Sequence, residues 1–170
     1  AWEFQTDIIH NARLRLKKIK EKLGNKPTVS IHIRRGDYTL PQNQILNIID
    51  EDYYIKALTQ NFLPINDYNF LVFSNDIEYA KTQLEGDNVY FVEPKGIDSY
   101  SYTSSEKDDL ALLSLCNHHI ITNSTYSWWG AYLSKSPNKK IICPTNWLKG
   151  PSFMNGNHFP SNWINIDNKN

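Results

Sequence analysis

The run Val29-Ser30-Ile31-His32-Ile33-Arg34-Arg35-Gly36-Asp37-Tyr38 reads as a buried strand that ends abruptly in two guanidiniums, a glycine and a carboxylate. A strand needs none of those groups in order to fold. A guanidinium presents a planar fork that suits phosphate oxygens bidentately. Two adjacent arginines at a strand end therefore point to a polyanion, with a nucleotide pyrophosphate the leading candidate. Successive strand residues alternate faces, so the two arginines diverge unless the strand stops there. One would grip the ligand, and the other would pair with Asp37 or another acid and brace the loop. The competing reading is a structural ion-pair cluster.

Working outward from that run, the chain alternates helix and strand. Apolar residues at Phe4, Ile8, Ile9, Ala12, Leu16, Ile19 and Leu23 follow a helical period. Gly24-Asn25 ends that helix. Thr28 to Arg34 is the first predicted strand. The spacing then predicts helices over Asp52 to Phe62, Ile77 to Leu84, Asp108 to Cys116 and Tyr126 to Ser134. Strands are expected over Asn69 to Ser74, Val89 to Val92, His119 to Thr122 and Lys140 to Cys143. The tail, rich in Asn, Pro, Gly and Trp, reads mostly as loop. Short, continuously apolar strands separated by helices indicate an α/β fold, a parallel sheet with helices on both faces. Ligands of such sheets bind beyond the carboxyl ends of the strands. Arg34, Arg35 and Asp37 lie at that edge, as do Ser74-Asn75-Asp76 and Asn123-Ser124-Thr125.

The chain has 170 residues, enough for one domain with its own core. Eighteen Lys plus Arg balance eighteen Asp plus Glu, giving no formal net charge. That balance argues against a nucleic-acid partner, which usually demands a basic excess. The densest basic run, Arg13 to Lys22, is diluted by Leu14, Leu16 and Ile19 and reads as a solvated helix face. Cys116 and Cys143 sit in apolar settings without metal-ligand spacing, so two reduced buried thiols are expected. No apolar stretch approaches membrane-spanning length and no signal peptide is visible. A cytoplasmic location follows as the expectation, with peripheral attachment to an inner membrane compatible with it. The chain starts at Ala1 rather than Met, so it is readable as a piece of a longer protein.

Other constellations are weaker. Asn123-Ser124-Thr125 precedes a helix, whose free N–H groups and dipole suit phosphate. An ordinary Ser/Thr N-cap explains the same residues. The triplet also spells a glycosylation acceptor, discounted without a secretory signal. Asp108-Asp109 at a helix start complements the dipole, or supplies a carboxylate to the N1–H and amino group of guanine. Asp50-Glu51-Asp52 is similar to the acidic triplet that holds a metal in many sugar transferases, yet acids are ordinary before a helix. His118-His119 faces both ways and lacks a third ligand at useful spacing, so no metal site is expected. Arg35-Gly36-Asp37 is an integrin-type tripeptide, but it abuts a buried strand rather than a loop tip. There is no dinucleotide-binding Gly-x-Gly-x-x-Gly, no Walker loop and no Gly-x-Ser-x-Gly elbow.

His32-Ile33-Arg34-Arg35-Gly36-Asp37-Tyr38 resembles the His-x-Arg-Arg-x-Asp signature of the α-1,2-fucosyltransferase family and its α-1,6- and protein-O-fucosylating relatives. A second block runs from Asp109-Leu110-Ala111-Leu112-Leu113-Ser114 through Ile121-Thr122-Asn123-Ser124-Thr125-Tyr126-Ser127-Trp128-Trp129-Gly130-Ala131-Tyr132-Leu133. It resembles the second signature of the bacterial α-1,2 branch, glycosyltransferase family 11. Pro144-x-x-Trp147 and Pro160-x-x-Trp163 fit that branch too.

The resemblance implies an inverting, metal-independent GT-B-type enzyme built of two Rossmann-like domains. It implies GDP-β-L-fucose as donor and a galactose-containing glycan as acceptor, joined at the 2-hydroxyl. Carried over, Arg35 would hold the β-phosphate, and His32 and Asp109 would contact guanine. Ser124 and Thr125 would lie near the phosphates, with Asn123 and Arg34 completing the donor site. Arg35 and Asp37 are the residues assigned to catalysis, Asp37 in a structural or electrostatic role. No cofactor and no metal are expected. The Gly-rich, Asn-Gln-containing loop that opens the family has no match, so residues 1–170 are expected to form a single donor-binding domain without the family's amino-terminal domain. Turnover by this chain alone is left open. The alternatives are a metal-dependent nucleotide-sugar transferase of another class, using Asp50-Glu51-Asp52, and a non-catalytic nucleotide-sugar-binding or adhesion module.

Overall fold

The first strand, β1 (Thr28–Ile33), is buried along its whole length but has two characters. Val29, Ile31 and Ile33 face one apolar layer. Thr28, Ser30 and His32 face the other way and are equally enclosed. A strand covered on both faces is a central strand, and β1 lies at the centre of the sheet. The computed structural model describes residues 3–93, 104–152, 155 and 159–168.

Among the described residues, six parallel strands make up the sheet: β1, β2 (Asn69–Ser74), β3 (Val89–Phe91), β4 (His118–Ile120), β5 (Ile141–Pro144) and β6 (Ile164–Ile166). Their spatial order is β3-β2-β1-β4-β5-β6. In register, Thr28 pairs with Asn69 and Ile33 with Ser74 on one side, and Val29 pairs with His118 on the other. This is a Rossmann-like α/β fold. Among the described residues, five α-helices cover it: α1 (Thr6–Leu23), α2 (Glu51–Asn61), α3 (Ile77–Gln83), α4 (Ser104–Ser114) and α5 (Thr125–Leu133).

Helices α2 and α3 cover the Ile31 face through Tyr53, Tyr54, Ala57 and Ala80. Helices α1 and α4 cover the opposite face through Ala12, Ile19, Ala111, Leu112 and Leu113, packed on Leu71 and Phe73 of β2. Helix α5 extends that layer, with Ala131 and Trp128 against Ile121, Ile141 and Cys143. Gly130 lets α5 approach α4 closely, since a Cβ there would meet Leu113 Cδ2 at 2.5 Å.

One expectation needs an addition and two need correction. Among its described residues the chain after Cys143 is mostly loop, as expected, but it also carries β6, and Trp147 and Trp163 are buried, each 6 % exposed. The strand is three residues long, too short for its alternation to register. Helix α4 starts at Ser104, four residues before the apolar pattern begins, so Asp108-Asp109 lies within the helix rather than at its start. The strand expected to run to Arg34 stops at Ile33, and Gly36–Thr39 forms a tight 3-10 turn.

Candidate active site

The strand order reverses direction between β1 and β4, with β2 and β3 on one side and β5 and β6 on the other. Such a reversal opens a crevice at the carboxyl ends of the strands, where open α/β sheets take their ligands. Arg34 to Tyr38 leave β1 at that point, and Ile121 to Ser124 leave β4. A hydrogen bond spans the gap, the Tyr38 hydroxyl donating to the Asn123 carbonyl at 2.8 Å. Burial outweighs the Arg34 charge and raises the Tyr38 pKa, which keeps the phenol protonated and able to donate.

The two arginines are held differently. Arg34 Nη2 donates to Asp37 Oδ2 at 2.9 Å, and its Nε lies 2.9 Å from Oδ1. Asp37 also accepts from Asn75 Nδ2 at 2.9 Å. Burial pushes the Asp37 carboxyl up, but the Arg34 hydrogen bond and charge outweigh it, with smaller help from its backbone amide and Asn75, and hold it below the ordinary 3.8. Asn75 Oδ1 in turn accepts the Arg35 backbone N–H at 3.1 Å. One side chain from the β2 end thus ties down two residues of the β1 end. Gly36 is required beneath it, since a Cβ there would meet Asn75 Nδ2 at 2.7 Å. Among the described residues, Arg35 has no acid within hydrogen-bond distance. Its guanidinium lies 4.0 Å from the centre of the Tyr79 ring, and its Nε is 4.0 Å from Asp76.

A second group lies on the α4–α5 side of β1. The His32 ring stands 5.3 Å from that of Tyr126, the second residue of α5. Burial, with the Arg34 charge second, pushes His32 down from 6.5 to about 3. The imidazole is therefore neutral near pH 7, and its buried Nδ1 has no hydrogen-bond partner among the described residues. Buried polar atoms are rarely left so. Asp109 is ion-paired with Arg15 of α1. Burial first, then the Asp109 charge, raise the Tyr126 pKa, which places Asp109 beside that phenol. His32, Tyr126, Asp109 and Arg15 thus cluster from four elements.

The Asn123-Ser124-Thr125 segment divides its labour. The Asn123 amide donates to the carbonyls of Asn47 and Trp147, at 2.6 and 2.9 Å, and accepts from Thr122. It holds the wall of the crevice in place. Ser124 is the N-cap of α5 by position, yet its side chain makes no capping bond. Thr125 is exposed at the helix start. The structure therefore brings Arg34, Arg35, Asp37 and Asn123 to one crevice, and gathers His32 and Asp109 on the adjoining α4–α5 side.

The model of the family described as glycosyl transferase family 11 matches residues 3–167. This chain belongs to glycosyl transferase family 11. It is 31 % identical over 164 residues to an alpha-1,2-colitosyltransferase of Escherichia coli, covering 92 % of this chain and 53 % of the relative. It is 34 % identical over 144 residues to the O-antigen biosynthesis glycosyltransferase WbnK of Escherichia coli, covering 84 % of this chain and 45 % of the relative. The human galactoside alpha-(1,2)-fucosyltransferase 1 is 30 % identical over 124 residues, covering 66 % of this chain and 31 % of the relative. The chain spans about half the length of the Escherichia coli relatives.

Within this family 11 chain, the acids at 50–52 act as a helix start. Asp50 Oδ1 accepts the Tyr53 N–H at 3.3 Å and caps α2. Among the described residues, no three His, Cys, Asp or Glu side chains are grouped to hold a metal ion. Also among the described residues, no helix is long and apolar enough to cross a membrane. His118 and His119 face opposite sides of the sheet, toward Phe62 and Ser30. Cys116 and Cys143 are buried free thiols, each pushed up to about 12 by burial. The sequence places Asn75 at the ligand edge without a role, and gives no sign of Tyr79 or Arg15 beside the candidate residues. Asn75 was visible as a polar residue at the carboxyl end of β2, but nothing in the sequence marked its partner.

Proposed function

We propose that this glycosyltransferase chain carries the donor-nucleotide site of an inverting α-1,2-fucosyltransferase. The reaction would move L-fucose from GDP-β-L-fucose to the 2-hydroxyl of a galactoside. The carrying observation is the unequal treatment of the two arginines. Arg34 is fixed to Asp37, while the Arg35 fork stands at the carboxyl edge of the sheet with no acid, among the described residues, within hydrogen-bond distance. The galactoside alpha-(1,2)-fucosyltransferases among the relatives support the sugar, the linkage and the acceptor class.

In this mechanism the acceptor oxygen attacks the anomeric carbon from the face opposite the nucleotide. The bond from that carbon to the β-phosphate oxygen breaks, and GDP departs with the electron pair. A base takes the hydroxyl proton. Charge grows on the β-phosphate oxygen, and Arg35 is the group assigned to neutralise it without a metal. Removing a comparable oxyanion donor costs about 3–4 kcal/mol of barrier. Neutral His32 and Asp109 are assigned to the guanine, one edge of which offers donors to a carboxylate. Ser124 and Thr125 are assigned to the phosphates, and Arg34, Asp37 and Asn123 to holding the loop and wall. Acceptor contacts and the base are assigned to the part of the relatives that this chain does not match.

Calorimetric titration of the chain with GDP-fucose, GDP-mannose and UDP-galactose, with and without chelator, tests the reading. GDP-sugars should bind, UDP-galactose should not, and chelator should change nothing. Loss of binding with chelator would favour a metal-dependent class, and no nucleotide binding at all would sink the proposal. The colitosyltransferase relative favours a second donor, so nucleotide-activated colitose belongs in the same titration.

A further inference from the structure

Tyr79 of α3 is built into the core on one side and into the site on the other. Its ring packs against the apolar layer that holds Phe70, Val72 and Ala80. The same ring lies 4.0 Å from the Arg35 guanidinium. Asp76 couples the two: one oxygen accepts the Tyr79 N–H at 3.1 Å, and the other lies 4.0 Å from Arg35 Nε. Residues from β1 and from the β2–α3 segment therefore meet at one guanidinium.

We propose that Tyr79 is a positioning residue that fixes the plane of the Arg35 fork for a nucleoside diphosphate. A cation–π contact uses the face of the guanidinium and leaves its N–H edges free for in-plane hydrogen bonds. An arginine restrained in this way before binding loses less side-chain freedom when phosphate arrives. Asp76, at 4.0 Å, is too distant to consume those edges. Arg34 shows the contrast. Its guanidinium is ion-paired with Asp37, with Nη2 hydrogen-bonded to Oδ2, and its aromatic neighbour Tyr38 stands farther off, at 5.6 Å. This inference rests on the reading that Arg35 takes the diphosphate.

The test is a double-mutant cycle on the chain, read by GDP and GMP affinity. Tyr79→Leu keeps an apolar core contact and removes the ring; Tyr79→Phe keeps the ring. Tyr79→Leu should weaken GDP binding roughly three- to tenfold, leave GMP within about twofold, and do nothing further in an Arg35→Ala background. Tyr79→Phe should bind GDP as the parent does. The Arg35 Nε–H NMR order parameter in the free chain should fall with Tyr79→Leu and be kept with Tyr79→Phe. An unchanged GDP affinity in Tyr79→Leu, or an equal loss in the Arg35→Ala background, overturns the positioning role. An Arg35→Ala variant that binds GDP like the parent overturns the diphosphate reading itself. In that case the order parameter still decides whether the ring restrains the arginine.

Discussion

Arg34 and Asp37 pair three residues apart on a single tight turn: Nη2 donates to Oδ2 at 2.9 Å, and Nε lies 2.9 Å from Oδ1 as an ion contact without hydrogen-bond geometry. Every neighbour of the Asp37 carboxylate in that network, Arg34 on one side and Asn75 on the other, is a donor. The group works because it is acceptor-only.

Asp37→Asn should therefore fail despite its near-identical shape. Its amide nitrogen must point at Arg34 or at Asn75. Both side chains of the ion pair are about a third exposed, at 31 % and 40 %, so water screens the pair. The stability cost should be small, about 1 kcal/mol or less. GDP affinity should fall roughly tenfold, equivalent to about 1.4 kcal/mol of binding. Chemical denaturation and calorimetry on the same preparation separate the two effects. A large stability loss with unchanged GDP affinity would contradict the loop-holding role.

Gly36→Ala places a Cβ 2.7 Å from Asn75 Nδ2. That nitrogen is already committed to Asp37, so moving it breaks the tie between the β1 and β2 ends. The variant should fold, with a melting temperature within a few degrees of the parent, and lose GDP affinity. Gly36→Ala combined with Asn75→Gly should relieve the clash without restoring affinity, because the Arg35 backbone bond to Asn75 is gone. Full recovery in the double variant would show that the clash alone mattered.

Stability should depend steeply on pH through two buried histidines. His32 and His119 are pushed from 6.5 to about 3 by burial first and by nearby cations second, Arg34 for His32 and Lys139 for His119. The folded chain keeps both neutral, while the unfolded chain protonates them below pH 6.5. Unfolding then takes up protons, and each histidine removes about 1.4 kcal/mol of stability per pH unit as pH falls from 6.5 toward 3. His119→Gln should flatten that slope by one histidine's share in urea unfolding measured from pH 7 to pH 4.5. A slope identical to the parent's would mean that His119 titrates normally in the folded chain.

Asn123→Ala removes two donated hydrogen bonds to the carbonyls of Asn47 and Trp147, at a residue only 4 % exposed. The Trp147 carbonyl keeps the Asn47 backbone N–H at 3.1 Å, so the cost is that of the two donated bonds, roughly 1–3 kcal/mol. The Tyr38 bond to the Asn123 carbonyl survives in principle, since it uses the backbone. Thermal melting should show the loss directly, and a Tm within a degree or two of the parent would contradict the wall-holding role.

Much of this was legible where physics acts locally. Strand β2 matches its expected span because a strand covered on both faces must be apolar throughout, and Phe70-Leu71-Val72-Phe73 is so. The brace between Arg34 and Asp37 was one of the alternatives open in the sequence, since its partners lie within one turn. The partners that arrive from afar were not legible. Asn75 reaches Arg35 across 40 positions, and Arg15 reaches Asp109 across 94. No periodicity encodes such pairs. Arg15 was hidden within a basic run that otherwise reads as solvated surface, and Arg13, Lys17, Lys18 and Lys22 are indeed exposed. The start of α4 escaped because Ser104-Ser105-Glu106-Lys107 carries no apolar stripe, although it is helical in the fold.

Strands β3 and β6, each three residues long, are the two margins of the sheet. A margin of that length offers a neighbouring molecule very few unsatisfied amides and carbonyls to zip onto. The longest strands, β1 and β2, lie inside, flanked on both sides. The chain thereby keeps its most β-prone segments out of reach of intermolecular pairing, and its concentrated solutions should resist fibrillar self-association for as long as it stays folded.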